Sequence, residues 1–75
     1  MTPDQLKKAR RKLRLTVREL AHILNTTERT VRKWENTFDE RPVNPVAARA
    51  VEWMLKGFRP EEWPQDNENR NENQN

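Results

Sequence analysis

Residues 16–36 carry the pattern of two short helices joined by a tight turn. Apolar residues recur at helical spacing in both halves: Val17, Leu20, Ala21 and Leu24 in the first, Val31 and Trp34 in the second. Asn25 lies between the halves, and asparagine tolerates the left-handed backbone conformation that such a turn requires. Thr16 and Thr27 precede the two halves, and threonine is a good N-cap. The spacing therefore predicts a helix-turn-helix with about three residues between its helices.

The second helix of this motif has a polar face opposite its apolar residues. Four long polar side chains share that face: Glu28, Arg29, Arg32 and Lys33. The major groove of DNA accepts an α-helix, and side chains on the exposed face of such a helix contact base edges. We therefore expect the chain to bind double-stranded DNA.

Positive charge is concentrated in the part of the chain that holds this motif. Residues 1–36 contain ten lysines or arginines against four carboxylates, a net charge of +6. Residues 37–64 have a net charge of −1 and residues 65–75 a net charge of −2. A basic surface beside a helix-turn-helix is the electrostatic footprint expected for phosphate binding. The alternative is that the lysines and arginines of the first helix only form a solvated surface.

The composition excludes several classes of protein. With 75 residues, of which 32% are apolar, the chain has room for one small domain. It has no cysteine and one histidine, His22, which we expect on the surface, so no disulfide or metal site is predicted. We find no apolar run near the roughly 20 residues of a membrane span and no signal peptide, so we expect a soluble, cytoplasmic protein. A glycine-rich loop and a paired histidine and carboxylate are also missing, so neither catalysis nor a cofactor is expected.

Two further helices flank the motif. Thr2 and Gln5 have the spacing of a capping box, which predicts that a first helix begins after Thr2. We expect this helix to end near Arg14. Asn44, followed by proline, predicts the start of a fourth helix, and Gly57 its end. The predicted fold class is therefore all-α and compact, with four helices.

The domain organisation follows from these elements. Residues 1–64 are expected to form a single domain, with a short additional turn at residues 58–64. Within it the helix-turn-helix occupies residues 16–36 and a dimerisation element about residues 44–64. Residues 65–75 contain no apolar residue, so we expect them to form a disordered polar tail.

The fourth helix is more apolar than packing on one small helical unit requires. Exposed apolar patches are uncommon on monomeric proteins. We therefore expect Val46, Ala50, Trp53 and Phe58 to contact a second copy of the chain in a homodimer.

The segment from Leu13 to Pro42 resembles the lambda-type phage repressor family, the Cro- and cI-like (XRE-type) helix-turn-helix proteins. The resemblance lies in the string Thr26-Thr27-x-x-Thr30-Val31-x-x-Trp34-Glu35-Asn36, followed by Arg41-Pro42. It implies a lambda-repressor-like fold. The sequence departs from the family at Asn25 and Thr37, where glycine is usual, and at Val17, where glutamine is frequent.

The resemblance also implies roles for the matching residues. Base contacts would come from the start and exposed face of the second helix of the motif (helix 3 of the chain). The residues there are Thr27, Glu28, Arg29, Arg32 and Lys33. Phosphate contacts would fall to Thr16 and Arg18 at the start of helix 2 and to Asn36 and Arg41 in the loop after helix 3. Arg10 would pair with Glu35 and lie within reach of a phosphate.

Three functions are consistent with these features. The first is a homodimeric repressor of its own small operon, similar to phage Cro-like regulators and to the autorepressors encoded beside anti-CRISPR genes, which binds an inverted-repeat operator. The second is an antitoxin that binds both operator DNA and a toxin, for which the acidic tail and the apolar helix 4 are suited. The third is a protein-interaction module that uses the motif as a scaffold, and the +6 charge of residues 1–36 argues against it.

Overall fold

The structure, a computed structural model, describes residues 1–38 and 41–64. The described part contains α1 (Pro3–Lys12), α2 (Val17–Ile23), α3 (Glu28–Trp34) and α4 (Pro45–Leu55). It contains no strand, so the prediction of an all-α, four-helix fold is confirmed. None of these four helices has the length and apolar content needed to cross a membrane. The tail predicted to be disordered, residues 65–75, lies outside the described residues.

Each helix begins at a side chain that accepts backbone N–H groups. The N-caps are Thr2, Thr16, Thr27 and Asn44. The first two belong to complete capping boxes, in which Gln5 and Glu19 accept the N–H of the capping threonine at 2.9 Å. The predicted caps are confirmed. Helix α3 begins at Glu28, directly after its cap Thr27.

Three helices end in the same backbone motif, in which a residue with positive φ follows the C-cap. These residues are Arg14 (φ 59°), Asn25 (φ 55°) and Gly57 (φ 109°). In each motif the N–H of this residue and that of the next residue bond to carbonyls of the last helical turn at 2.9–3.1 Å, which is the Schellman pattern. Helix α1 was expected to end near Arg14 and ends at Lys12, because Arg14 itself adopts the left-handed conformation.

The core lies where the four helices meet. Its buried apolar side chains are Leu6, Ala9, Leu13, Leu15, Leu20, Ala21, Val31, Val43, Ala47, Ala48, Val51 and Met54. Val31 is fully buried, as predicted, whereas Trp34 packs against the core with part of its side chain exposed. The N–H of Val43 donates to the carbonyl of Met1 at 3.0 Å and holds the start of the chain beside the loop that precedes α4. Burial of this apolar surface fixes the helices relative to one another.

Residues 58–64 fold back across the end of α4. Arg59 donates from Nη1 to the carbonyls of Met54 at 2.8 Å and Phe58 at 2.9 Å. Its guanidinium lies 4.2 Å from the centre of the Trp63 ring, a cation–π contact. Trp63 packs against the core, as expected of a segment that returns to it, whereas Phe58 stays largely exposed.

Candidate nucleic-acid interface

The turn between α2 and α3 is fixed by close packing and by one left-handed residue. Ala21 of α2 and Val31 of α3 are both buried, and the small alanine lets the two helices approach closely. Asn25 reverses the chain with φ 55°, and the N–H of Thr26 closes the turn on the carbonyl of Ala21 at 2.9 Å. The predicted helix-turn-helix is confirmed, and its packing turns the opposite face of α3 outward.

The outward face of α3 carries the charged residues expected to contact bases. Arg29, Arg32 and Lys33 are exposed and Glu28 is partly exposed. In the part of the chain that the structure describes, neither Arg29 nor Lys33 has an ion-pair partner. The charged ends of these two side chains are therefore ready to bind an anionic or electron-rich ligand.

The two threonines assigned to DNA contacts also cap helices. The Thr16 hydroxyl accepts the N–H of Glu19 at 3.0 Å. The Thr27 hydroxyl accepts the N–H of Thr30 at 3.1 Å and lies 2.9 Å from the Thr30 hydroxyl. Both residues thus set the start of a helix of the motif, whatever else they contact.

Glu28 joins two arginines that come from different helices. Its Oε2 lies 3.5 Å from Arg18 Nε on α2, and its Oε1 lies 3.1 Å from Arg32 Nη2, one turn further along α3. We call Arg18, Glu28 and Arg32 the Glu28 cluster. The i,i+4 spacing of Glu28 and Arg32 is visible in the sequence. The contact with Arg18 depends on how α2 packs on α3, so no local sequence pattern predicts it.

Arg10 and Glu35 form the ion pair that the family resemblance implied. Arg10 donates from Nε to Glu35 Oε2 at 2.7 Å and from Nη2 to Oε1 at 3.1 Å, and from Nη1 to the carbonyl of Leu15 at 2.9 Å. The two side chains are only 14% and 7% exposed. The guanidinium is thereby oriented towards the end of α3, and its clearest role is to hold α1 against α3.

A shallow groove of about 200 Å³ lies between the end of α3 and the loop that follows it. It is lined by Lys33, Trp34, Arg41, Pro42 and Asn44. The groove brings Lys33, expected to contact bases, beside Arg41, expected to contact phosphate. Two cations on one groove favour an anionic ligand. Asn36, the other predicted phosphate ligand of this loop, uses Oδ1 to accept the N–H of Phe38 at 3.0 Å and so shapes the loop.

The residues expected at a dimer interface lie on α4 and just after it. Val46, Ala50 and Trp53 are spaced i, i+4 and i+7 and so share one helix face, which we call the α4 stripe. Val46 is 78% exposed and Trp53 51% exposed, and Ala50 is partly exposed. Phe58, 55% exposed, makes a T-shaped contact with the Trp53 ring, with 6.5 Å between the ring centroids. Phe38, in the loop after α3, is 95% exposed and had not been expected at an interface.

Comparison with protein-family models matches residues 6–43, just over half of the chain, to the helix-turn-helix family HTH_3. Comparisons with curated proteins and with solved structures found no match. The matched segment runs from Leu6 in the core of α1 through α2 and α3 to Val43, and so contains the whole helix-turn-helix. The chain therefore belongs to the HTH_3 family of XRE-type, Cro- and cI-like helix-turn-helix proteins and is a DNA-binding transcription regulator of that type.

Proposed function

We propose that this regulator is a homodimeric repressor that places α3 in the major groove of an inverted-repeat operator. The observation that carries the proposal is the outward face of α3, where Arg29 and Lys33 have no ion-pair partner among the described residues. The opposite face is anchored by buried Val31, so these cations stand on a helix with a fixed position. Side chains on a rigid element make more precise contacts than side chains on a loop.

Arg29 is the residue best placed to contact a base. It is exposed in the first turn of α3, the part of a recognition helix that meets base edges. The planar guanidinium of an arginine matches O6 and N7 of guanine with two parallel hydrogen bonds. Arg32 and Lys33 lie further along the same face, and Thr27 and Glu28 lie at its start.

Phosphate contacts are assigned to residues around α3. Arg18 and Thr16 lie at the start of α2, and Asn36 and Arg41 lie in the loop after α3. Such contacts set the position and orientation of the protein without recognising sequence. Arg10 is the weakest member of this group, because its three donating nitrogens already bind Glu35 and a backbone carbonyl.

The α4 stripe and Phe58 supply the surface proposed for dimerisation. A symmetric dimer buries the same surface on both subunits. It also presents two recognition helices to major grooves that lie about one helical turn apart, a separation of about 34–36 Å. This geometry is the physical reason to expect an inverted repeat in the operator.

The proposed biological role is repression of the protein's own small operon in the cytoplasm of a bacterial cell, in a phage or anti-CRISPR context. The support is the match to the HTH_3 family and the resemblance of residues 13–42 to Cro- and cI-like phage regulators. The antitoxin alternative needs a second protein partner, and exposed Val46 and Trp53 are as available to such a partner as to a second copy.

Selection of duplexes from a random pool by the full-length protein tests the proposal. We expect enrichment of an inverted repeat whose half-sites are centred about one helical turn, roughly 10 base pairs, apart. Binding without enrichment of any sequence would contradict a sequence-specific role. Enrichment of a single half-site would contradict the symmetric dimer on DNA.

Two variants with the same loss of charge then separate base contacts from phosphate contacts. Arg29→Ala should weaken binding to the selected operator much more than binding to a scrambled duplex, and should relax one base position, because a bidentate contact discriminates by about 1–3 kcal/mol. Arg41→Ala should weaken both complexes equally and reduce the log–log salt slope by about one unit. If Arg29→Ala weakens both duplexes equally, Arg29 contacts phosphate and the assignment is wrong.

A further inference from the structure

We propose that Glu28 lowers binding to non-cognate DNA by competing with phosphates for Arg18 and Arg32, and so sets the specificity of the regulator. The proposal rests on the proposed function, because it concerns the same recognition surface. It assigns Glu28 a role through the two arginines and not through a contact of its own with a base.

The geometry of the Glu28 cluster supports this role. One carboxylate uses Oε2 for Arg18 and Oε1 for Arg32, so each of its oxygens faces a different guanidinium. The hydrogen bond from Arg32 Nη2 to Oε1 is 3.1 Å long. Arg18 comes from the first turn of α2 and Arg32 from the second turn of α3, so the cluster spans both helices of the motif.

The exposed cations of the helix-turn-helix therefore fall into two classes. Arg29 and Lys33 have no ion-pair partner in the described part of the chain, whereas Arg18 and Arg32 share Glu28. Binding to DNA of any sequence depends on how many cations neutralise phosphates and release counterions. On such DNA, a phosphate competes with Glu28 for Arg18 and Arg32, and the carboxylate itself lies beside the negatively charged backbone.

Breaking the ion pairs with Glu28 costs less binding free energy at a cognate site. Exposed ion pairs are weak and exchange partners easily. At the operator a guanine edge can take the Arg32 guanidinium in a bidentate contact, which compensates for the loss of Glu28. Specificity is the difference between the binding free energies for two DNA sites. An acidic residue that weakens binding to non-cognate DNA more than binding to the operator therefore increases specificity.

Glu28→Gln tests the proposal, with Asp4→Asn as the matched control. Asp4 pairs with Lys8 at 3.1 Å with i,i+4 spacing on α1, so both variants remove one carboxylate from a helical ion pair of equal length. Affinities for the selected operator and for a scrambled duplex are measured at several salt concentrations. Each arginine released to a phosphate should raise the scrambled-duplex affinity roughly fivefold near 0.15 M salt and steepen the log–log slope by about 0.9.

We expect Glu28→Gln to raise affinity for the scrambled duplex at least fivefold and affinity for the operator much less, so that the ratio of the two falls. Asp4→Asn should leave that ratio within about twofold of the wild type. Equal gains for the two duplexes, or equal effects of the two variants, would show that Glu28 acts only through net charge. A loss of operator affinity with an unchanged scrambled affinity would make Glu28 a direct base contact and overturn the proposal.

A coupling measurement supplies a second test. Arg18→Ala should weaken binding to the scrambled duplex less in the wild type, where Glu28 competes with phosphate for this arginine, than in the Glu28→Gln background. An equal loss in both backgrounds would contradict the proposal. Failure of the proposed function looks different, because wild-type protein would then enrich no duplex in the selection, whatever residue occupies position 28.

Discussion

Arg10 and Glu35 form an ion pair in which both side chains are largely buried. They are 25 residues apart in the sequence, and their contact ties α1 to the C-terminal end of the recognition helix. Both oxygens of the carboxylate bind the guanidinium, and the remaining donor of Arg10 binds the carbonyl of Leu15. A buried pair gains little over apolar residues of equal volume, but a buried charge without its partner is strongly unfavourable.

Glu35→Ala should therefore lower the free energy of unfolding by about 3 kcal/mol, measured by urea denaturation. Lys8→Ala, which removes the exposed Asp4–Lys8 pair, should cost less than about 0.5 kcal/mol. Joint replacement by Arg10→Met and Glu35→Leu should recover most of the stability, because no unpaired charge remains. A Glu35→Ala protein as stable as Lys8→Ala would show that the Arg10 charge is not buried in solution.

The residue contacts divide clearly into those that the sequence predicts and those that it does not. The Arg10–Glu35 pair was expected only because the family resemblance supplied a contact between distant positions. The Arg18–Glu28 contact has no local signal, because it exists only once α2 has packed on α3. Which of the cations on α3 are already paired is thus a tertiary property. Two residues of the predicted site differ in this property. Arg29 has no ion-pair partner among the described residues, whereas Arg32 pairs with Glu28.

At the scale of the helices, the N-termini were predictable and one C-terminus was not. Caps depend on a side chain and an N–H two or three residues away, so the sequence contains the whole interaction. Asn25 and Gly57 were also identified, because these residue types favour the left-handed conformation. Arg14 has no such preference. It takes the left-handed position because Leu13 and Leu15, on either side, must both reach the core.

Arg14→Gly should consequently stabilise the domain by about 0.5–1 kcal/mol. The left-handed conformation costs a residue with a Cβ about 1 kcal/mol or more, and glycine removes that strain at a smaller entropic cost in the unfolded chain. Arg11→Gly is the matched control, since it makes the same change of residue type inside α1 and should destabilise by about 1 kcal/mol. Urea denaturation of the two variants measures both effects, and a shift of the same sign in both would contradict the assigned backbone strain.

For the whole molecule, the net positive charge and most of the exposed apolar side chains lie on different elements. The net positive charge is carried by residues 1–36, which contain the helix-turn-helix, and the exposed apolar side chains Val46, Trp53 and Phe58 lie on α4 and after it. The contact between Trp53 and Phe58 accompanies the Schellman motif that ends α4, so these rings are held in place before any partner binds. A fixed apolar surface loses little conformational entropy on association.

Trp53→Asp should convert the proposed dimer into a monomer. In sedimentation at micromolar concentration, we expect the wild type at roughly twice 9.1 kDa and Trp53→Asp near 9.1 kDa. Leu55→Asp introduces the same charge on the same helix, but Leu55 lies about half a turn from the α4 stripe, so this control should stay dimeric. Trp53→Asp should also weaken operator binding more than binding to a single half-site, since only the full operator needs two linked recognition helices. A wild type that is monomeric both free and on the operator would rule out the dimer, and the exposed α4 stripe would then belong to a contact with a different protein.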